Sequence, residues 1–178
     1  MATLIPQRIA AAVELLAVQP NDHLLEIGCG NGTAAGLVCE RLGEGQLVAI
    51  DRPEKQIDLA SARNRAYLES GKLTLYATAL ESATLDEAQF DKIFAINVNC
   101  FWLHYEEPLE VVKRLLKPDG AFFIFYQQPT TTKMREIASV LRTNLIRAGF
   151  VIKHETVMEQ VYCLVSSLAR PAGAFSGQ

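Results

Sequence analysis

Apolar positions at 5, 9, 12, 13 and 16 recur at helical spacing and predict a first helix within 5–18. Downstream, short apolar runs bounded by glycine or proline alternate with longer amphipathic stretches. The runs 23–28, 46–51, 72–77, 91–97 and 120–127 predict strands. The stretches 33–42, 56–68, 106–116 and 132–148 predict helices. Gly43 and Gly45 stop the first of these, Pro53 suits the opening turn of the next, Gly71 closes it, and Gly149 closes the last. Residues 80–89 have little period. The runs 150–157 and 160–167 lie close enough to form a hairpin. Strand and helix alternate until that last pair, which calls for an α/β fold with a mostly parallel sheet covered on both faces.

Length and composition narrow this little further. A chain of 178 residues suits one domain, expected over 1–169, with a frayed Gly-, Ala- and Ser-rich tail at 170–178. Hydrophobic residues make up 49%, enough for a sizeable core. A net charge of −3 argues against nucleic acid as a main partner, since phosphate binding needs a basic face. The late basic residues Lys133, Arg135, Arg142, Arg147 and Lys153 read as a solvated helix face.

Cys29, Cys39, Cys100 and Cys163 form no C-x-x-C pair, and His23, His104 and His154 are isolated, so no metal site is expected. Arg8 and Glu14 break the N-terminal apolar stretch, unlike a signal peptide. No run approaches the roughly 20 apolar residues that span a bilayer. These features give the expectation of a soluble, cytoplasmic protein with reduced thiols and no membrane partner.

The chemistry concentrates in His23-Leu-Leu-Glu-Ile-Gly-Cys-Gly-Asn-Gly32, where an apolar strand runs into glycines 28, 30 and 32 just before a helix. Glycines allow a sharp turn and close approach to a ligand, and the helix N-terminus offers unpaired N–H groups. A dinucleotide fingerprint would place its third glycine at position 33, which is Thr33. The pattern E-x-G-x-G-x-G resembles motif I of the class I S-adenosylmethionine (SAM) dependent methyltransferases. Three further stretches resemble the same family: a second strand ending at Asp51, the strand Phe90-Asp-Lys-Ile-Phe-Ala-Ile-Asn97, and the turn Leu115-Leu-Lys-Pro-Asp-Gly-Ala-Phe-Phe-Ile124. The resemblance covers residues 4–168 and implies a doubly wound, mostly parallel seven-stranded sheet with a C-terminal antiparallel hairpin.

It also implies the cofactor SAM, released as S-adenosylhomocysteine, and a set of residues around it. Gly28, Gly30 and Gly32 would wall the amino-acid end, and Cys29 and Asn31 would offer backbone N–H groups. Glu26 would help hold the methionine amino group; a paired acid at a strand end is the plainer reading. Asp51 would accept from both ribose hydroxyls; a helix N-cap is its alternative. Arg52 stands where relatives often carry an apolar residue, and either stacks on adenine or points to water. Relatives often have an acid just past the third strand. Here the run is Ala77-Thr-Ala-Leu-Glu81, so Ala79 and Leu80 would read adenine through backbone groups, with Glu81 a possible substitute. Asn97 and Val98 would lie near the sulfonium. Phe101, Trp102, His104, Tyr105, Tyr126, Gln127 and Gln128 are candidates for an acceptor pocket or for ordinary packing.

A covalent role for Cys100 lacks its usual proline neighbour, and no general base stands out. The expected function is methyl transfer to an unidentified small molecule. A non-catalytic SAM-binding sensor or complex subunit is the alternative, and a NAD-type oxidoreductase is disfavoured by Thr33. A homodimer is possible. The acceptor site is expected to be open, covered by residues 1–16 and 97–106, a partner subunit or a large substrate.

Overall fold

The computed structural model describes residues 5–169; the tail 170–178, expected to be frayed, lies outside them. In chain order the elements are α1 (Gln7–Leu15), β1 (His23–Ile27), α2 (Thr33–Cys39), β2 (Gln46–Asp51), α3 (Glu54–Arg63), α4 (Arg65–Glu69), β3 (Leu73–Ala77) and β4 (Phe90–Ile96). They continue with α5 (Cys100–Leu103), α6 (Glu106–Leu115), β5 (Leu116–Gln127), α7 (Thr131–Arg147), β6 (Phe150–Met158) and β7 (Val161–Leu168). One seven-stranded sheet has the order β3-β2-β1-β4-β5-β7-β6. The first five strands pair in parallel; β7 pairs antiparallel with both β5 and β6.

Strand alternation feeds two cores, one on each face. Leu25 and Ile27, with Phe122, Ile124 and Tyr126, join the core under α6 and α7. Leu24, with Phe123 and Phe125, joins the other, under α1 and α2. Glu26 shares the parity of Leu24, so period two drives a carboxyl into an apolar face. On α6, Glu106 and Glu107 sit in the first turn and Lys113 and Arg114 in the last, each complementing the helix dipole. The Thr130 hydroxyl caps α7, accepting from the Lys133 N–H at 3.2 Å.

The structure departs from the sequence expectations at three places. The single helix expected over 56–68 is two, α3 and α4, broken at Asn64 (φ −112°, ψ 26°). The apolar period continues across the break, but the Asn64 side chain leaves the helix surface to bond elsewhere, as described below. The fifth strand starts at Leu116 rather than 120. Its pairing to β4 jumps from Leu116 to Ala121, so residues 117–120 bulge out, as the Pro-Asp-Gly turn demands. The short α5 lies in a stretch that has no helical period; its Phe101 carbonyl accepts from the buried Asn144 Nδ2 at 3.2 Å.

The direction of strand order reverses between β1 and β4. A crevice opens there beyond the strands' C-terminal ends, bounded by the residues that follow each strand. Among the described residues, no helix is long and apolar enough to cross a membrane.

Candidate functional site

The crevice has two lobes that meet at Gly28, Ile96 and Asn97. The larger, about 400 Å³, lies past β2 and β3 and is lined by Asp51, Arg52, Thr78, Ala79, Leu80 and Glu81, with Val98, Asn99 and Cys100 opposite. The smaller, about 280 Å³, is lined by Glu26, Cys29, Gly30, Asn31, Thr33 and Ala34, with Arg8 and Ile9 from α1. Lobes of this size together suit a ligand of nucleoside-plus-amino-acid dimensions. Eleven of the twelve residues expected at the cofactor therefore line one lobe or the other. Gly32 lines neither and faces α3 instead: a Cβ there would meet Ala60 Cβ at 2.8 Å.

The glycine loop is held by its own backbone. The N–H groups of Gly28 and Cys29 donate to the Ile50 carbonyl at 2.8 and 3.0 Å. The Gly30 N–H donates to Asp51 Oδ2 at 2.7 Å, and the Arg52 N–H to Asp51 Oδ1 at 2.8 Å. Asp51 is thus no helix cap: the residue before α3 is Pro53, with no side-chain cap. Each oxygen of a carboxylate can accept about two bonds, so both keep capacity for a ligand hydroxyl. The Cys29 N–H, expected to face a ligand, is engaged by Ile50 instead.

Gly28 is tightly packed where the two lobes meet. It has φ +75°, and a Cβ would lie 2.7 Å from Val98 Cγ2. Val98 cannot retreat freely, because its carbonyl accepts from the buried Tyr126 hydroxyl. Gly28→Ala should therefore cost about 1–3 kcal/mol through backbone strain and overpacking. Chemical denaturation checks this; unchanged stability would mean that Val98 moves aside at no cost.

Asn97 also sits in the left-handed region, at φ +57°. Its N–H donates to the Phe125 carbonyl at 2.8 Å, and its Oδ1 accepts from the Gln127 N–H at 2.9 Å. The side-chain bond to β5 offsets the backbone strain and fixes the wall shared by both lobes.

Electrostatics divide the lobes. Glu26 is 2% exposed, and its Oε2 has no hydrogen-bond partner. Burial, with a smaller push from the Asp51 charge, raises its carboxyl to about 8. Arg8 stands in the same lobe, and no described residue is ion-paired with it. In the larger lobe, the exposed Arg52 places Nη2 3.5 Å from Oε2 of the half-buried Glu81, a loose arrangement that contributes little. Burial pushes the Cys29 thiol far up and Cys100 to about 11, which leaves neither as a thiolate at neutral pH.

Of the acceptor-pocket candidates, Phe101 and Tyr126 belong to the core; Phe101 packs edge-on against Phe122 at 5.1 Å. Trp102 stays at the rim, where Lys133 Nζ lies 5.7 Å over its ring and its Nε1 donates to Asn99 Oδ1 at 3.4 Å. His104 is exposed. Arg8, Ile9, Ile96, Thr78 and Asn99 line the crevice without having been singled out from sequence. Only Arg8 carried a signal, as a cation interrupting an apolar helix.

A family model described as a methyltransferase domain matches residues 24–120. The Bacillus subtilis (strain 168) protein YrhH, whose name places it among methyltransferases and gives no acceptor, is 26% identical over 154 residues, 86% of this chain and 82% of its own. A trans-aconitate 2-methyltransferase of Acidovorax ebreus (strain TPSY) is 33% identical over 75% of this chain. The chain spans about half of that relative, 52%, and only 34% of a 24-methylenesterol C-methyltransferase of Arabidopsis thaliana. A crystal structure of a SAM-dependent methyltransferase from Aquifex aeolicus superposes with a TM-score of 0.71 at 18% identity. The match covers 89% of this chain and 87% of that one.

Proposed function

Because the chain belongs to the methyltransferase-domain family, of the class I SAM-dependent type, we propose that it transfers the methyl group of SAM to a small-molecule acceptor. The observation that supports this best is the smaller lobe. A buried carboxyl with an unfilled oxygen and an arginine that has no ion-pair partner among the described residues line one space. A buried acid that an ammonium would ionise, beside a fixed cation, suits the ammonium and carboxylate of an amino acid. The larger lobe supplies the complement, a carboxylate for a ribose and apolar walls at Ile50 and Leu80 for a base.

The residues fit the cofactor as follows. Glu26 accepts from the ammonium, Arg8 pairs with the carboxylate, and Asp51 takes the ribose hydroxyls while holding Gly30. Ala79 and Leu80 bound the adenine side, where Arg52 pairs with Glu81. Gly28, Ile96 and Asn97 form the waist between the lobes, with Val98 beside it in the larger lobe, and Asn31 edges the amino-acid end. The cofactor supplies a methyl already activated on a positive sulfur, so alignment and water exclusion are what remain for the protein. Asn97 and Val98, fixed through β5 and Tyr126, provide a rigid wall at the waist. No thiolate or buried histidine is offered as a nucleophile or base, which suits an acceptor that carries its own nucleophile. The names of the relatives, which print a methylenesterol and trans-aconitate, support a small acceptor without choosing one.

Calorimetric titration tests the reading. SAM and S-adenosylhomocysteine should bind in the micromolar range and NAD should not. Arg8→Ala should weaken both by about tenfold, ~1.4 kcal/mol, without lowering thermal stability. Absence of SAM binding by the folded protein would overturn the reading. Binding without turnover on a broad acceptor panel would favour a non-catalytic sensor.

A further inference from the structure

We propose that Asn64 is a positioning residue that clamps the outer end of the glycine loop and so sets cofactor affinity from outside the cleft. This inference rests on the cofactor reading above.

Asn64 is 3% exposed and lines neither lobe. Its Nδ2 donates to the Gly32 carbonyl at 2.9 Å and to the Ala60 carbonyl at 3.0 Å. One residue earlier, Arg63 Nε donates to the Asn31 carbonyl at 3.1 Å. Two consecutive carbonyls of the loop are therefore gripped by consecutive residues at the α3–α4 break. The loop's other end is gripped by Ile50 and Asp51. The residues gripped in this way include Cys29, Gly30 and Asn31, which form the amino-acid side of the cleft.

The sequence around the clamp is cut to fit it. A Cβ on Gly32 would stand 2.5 Å from Asn64 Nδ2, and one on Gly36 would stand 2.7 Å from Asn64 Oδ1. Gly36 lies inside α2, where helix propensity alone favours alanine. Its absence of a side chain makes the slot that receives the Asn64 carboxamide. The break between α3 and α4 serves the same end, since a helical Asn64 would point its side chain along the helix surface.

Both acceptors also have a second donor, which makes the idea testable. The Gly32 carbonyl keeps a bond from the Gly36 N–H at 3.1 Å, and the Ala60 carbonyl keeps one from the Asn64 N–H at 3.0 Å. Removing the carboxamide leaves neither carbonyl orphaned.

The test measures S-adenosylhomocysteine affinity and apo thermal stability in wild type, Asn64→Leu and Gly36→Ala, with Leu68→Ala as a control that loosens α4 without touching the loop. Asn64→Leu and Gly36→Ala should each raise the dissociation constant about tenfold, ~1.4 kcal/mol. Hydrogen exchange should quicken in residues 28–34. Leu68→Ala should lower the melting temperature and leave affinity near wild type. Gly36→Ala keeps the test informative if Asn64→Leu does not fold, because an effect of helix propensity alone would make it more stable with unchanged affinity. Unchanged affinity in the folded variants, or equal weakening in the control, overturns the clamp alone. Failure of folded wild type to bind at all overturns the cofactor reading and the clamp with it.

Discussion

Glu26→Gln should stabilise the apo protein in alkaline solution while weakening cofactor binding. The Glu26 carboxyl is buried, its Oε2 has no partner, and its folded value lies near 8 against an ordinary 4.5. The folded state therefore holds a proton that the unfolded state releases. Apo stability should be highest below pH 4.5 as far as this group is concerned, fall as pH rises, and level off above 8. The span between the limits is on the order of 5 kcal/mol if the full shift is realised. A buried amide still lacks a partner, at about 1–3 kcal/mol, so the net gain at pH 9 should be a few kcal/mol at most. Denaturation midpoints across pH 5–9 check the slope, which should flatten in the variant. An identical slope in both proteins would show that Glu26 is already ionised.

The same group makes binding a proton event. An ammonium beside the carboxyl favours its ionised form. Titration at pH 7 in buffers of different ionisation enthalpy should thus report a proton released by wild type and none by Glu26→Gln.

Asp51→Ala should lose affinity by roughly 1.5–3 kcal/mol, near 10- to 150-fold. Two losses combine: the acceptor for ribose hydroxyls, and the partner of the Gly30 N–H at 2.7 Å. The second distinguishes Asp51 from a simple ligand contact, because the glycine loop loses one of its anchors. Removing the Asp51 charge also removes the smaller of the two causes that raise Glu26. The pH-dependent fall in apo stability should then shift to lower pH in Asp51→Ala. Calorimetry gives the affinity and pH-scanned unfolding gives the shift. Wild-type affinity in the variant would remove Asp51 from the ribose.

How much of this was legible in sequence depends on the range of the interaction. The glycine spacing after an apolar strand and the acid that ends the next strand are local patterns, and the loop and Asp51 stand where they pointed, at the crevice. The α3–α4 break was not legible, because the partner that draws Asn64 out of the helix is Gly32, 32 residues away. In sequence Arg8 marked only a break in the N-terminal apolar stretch; the packing of α1 against α2 brings it to the lobe. The strain at Asn97 is satisfied by Gln127, 30 residues on, and a lone asparagine after a strand carries no mark of it. Cys29 shows the converse. Its place between two glycines suggested a free N–H, but the turn itself spends that group on Ile50.

The meeting of β1 with β4 also orders events in time. β1, β2 and β3 pair among themselves within residues 23–77, whereas Leu24 finds its β4 partner at Lys92. Contacts of that separation pay their loop-closure entropy late. On a ribosome, the glycine loop and Asp51 emerge well before Asn97, so the nascent chain carries only half of the crevice. Cofactor held by both halves of the crevice would bind only after β4 has joined β1. It stabilises the finished chain by mass action alone.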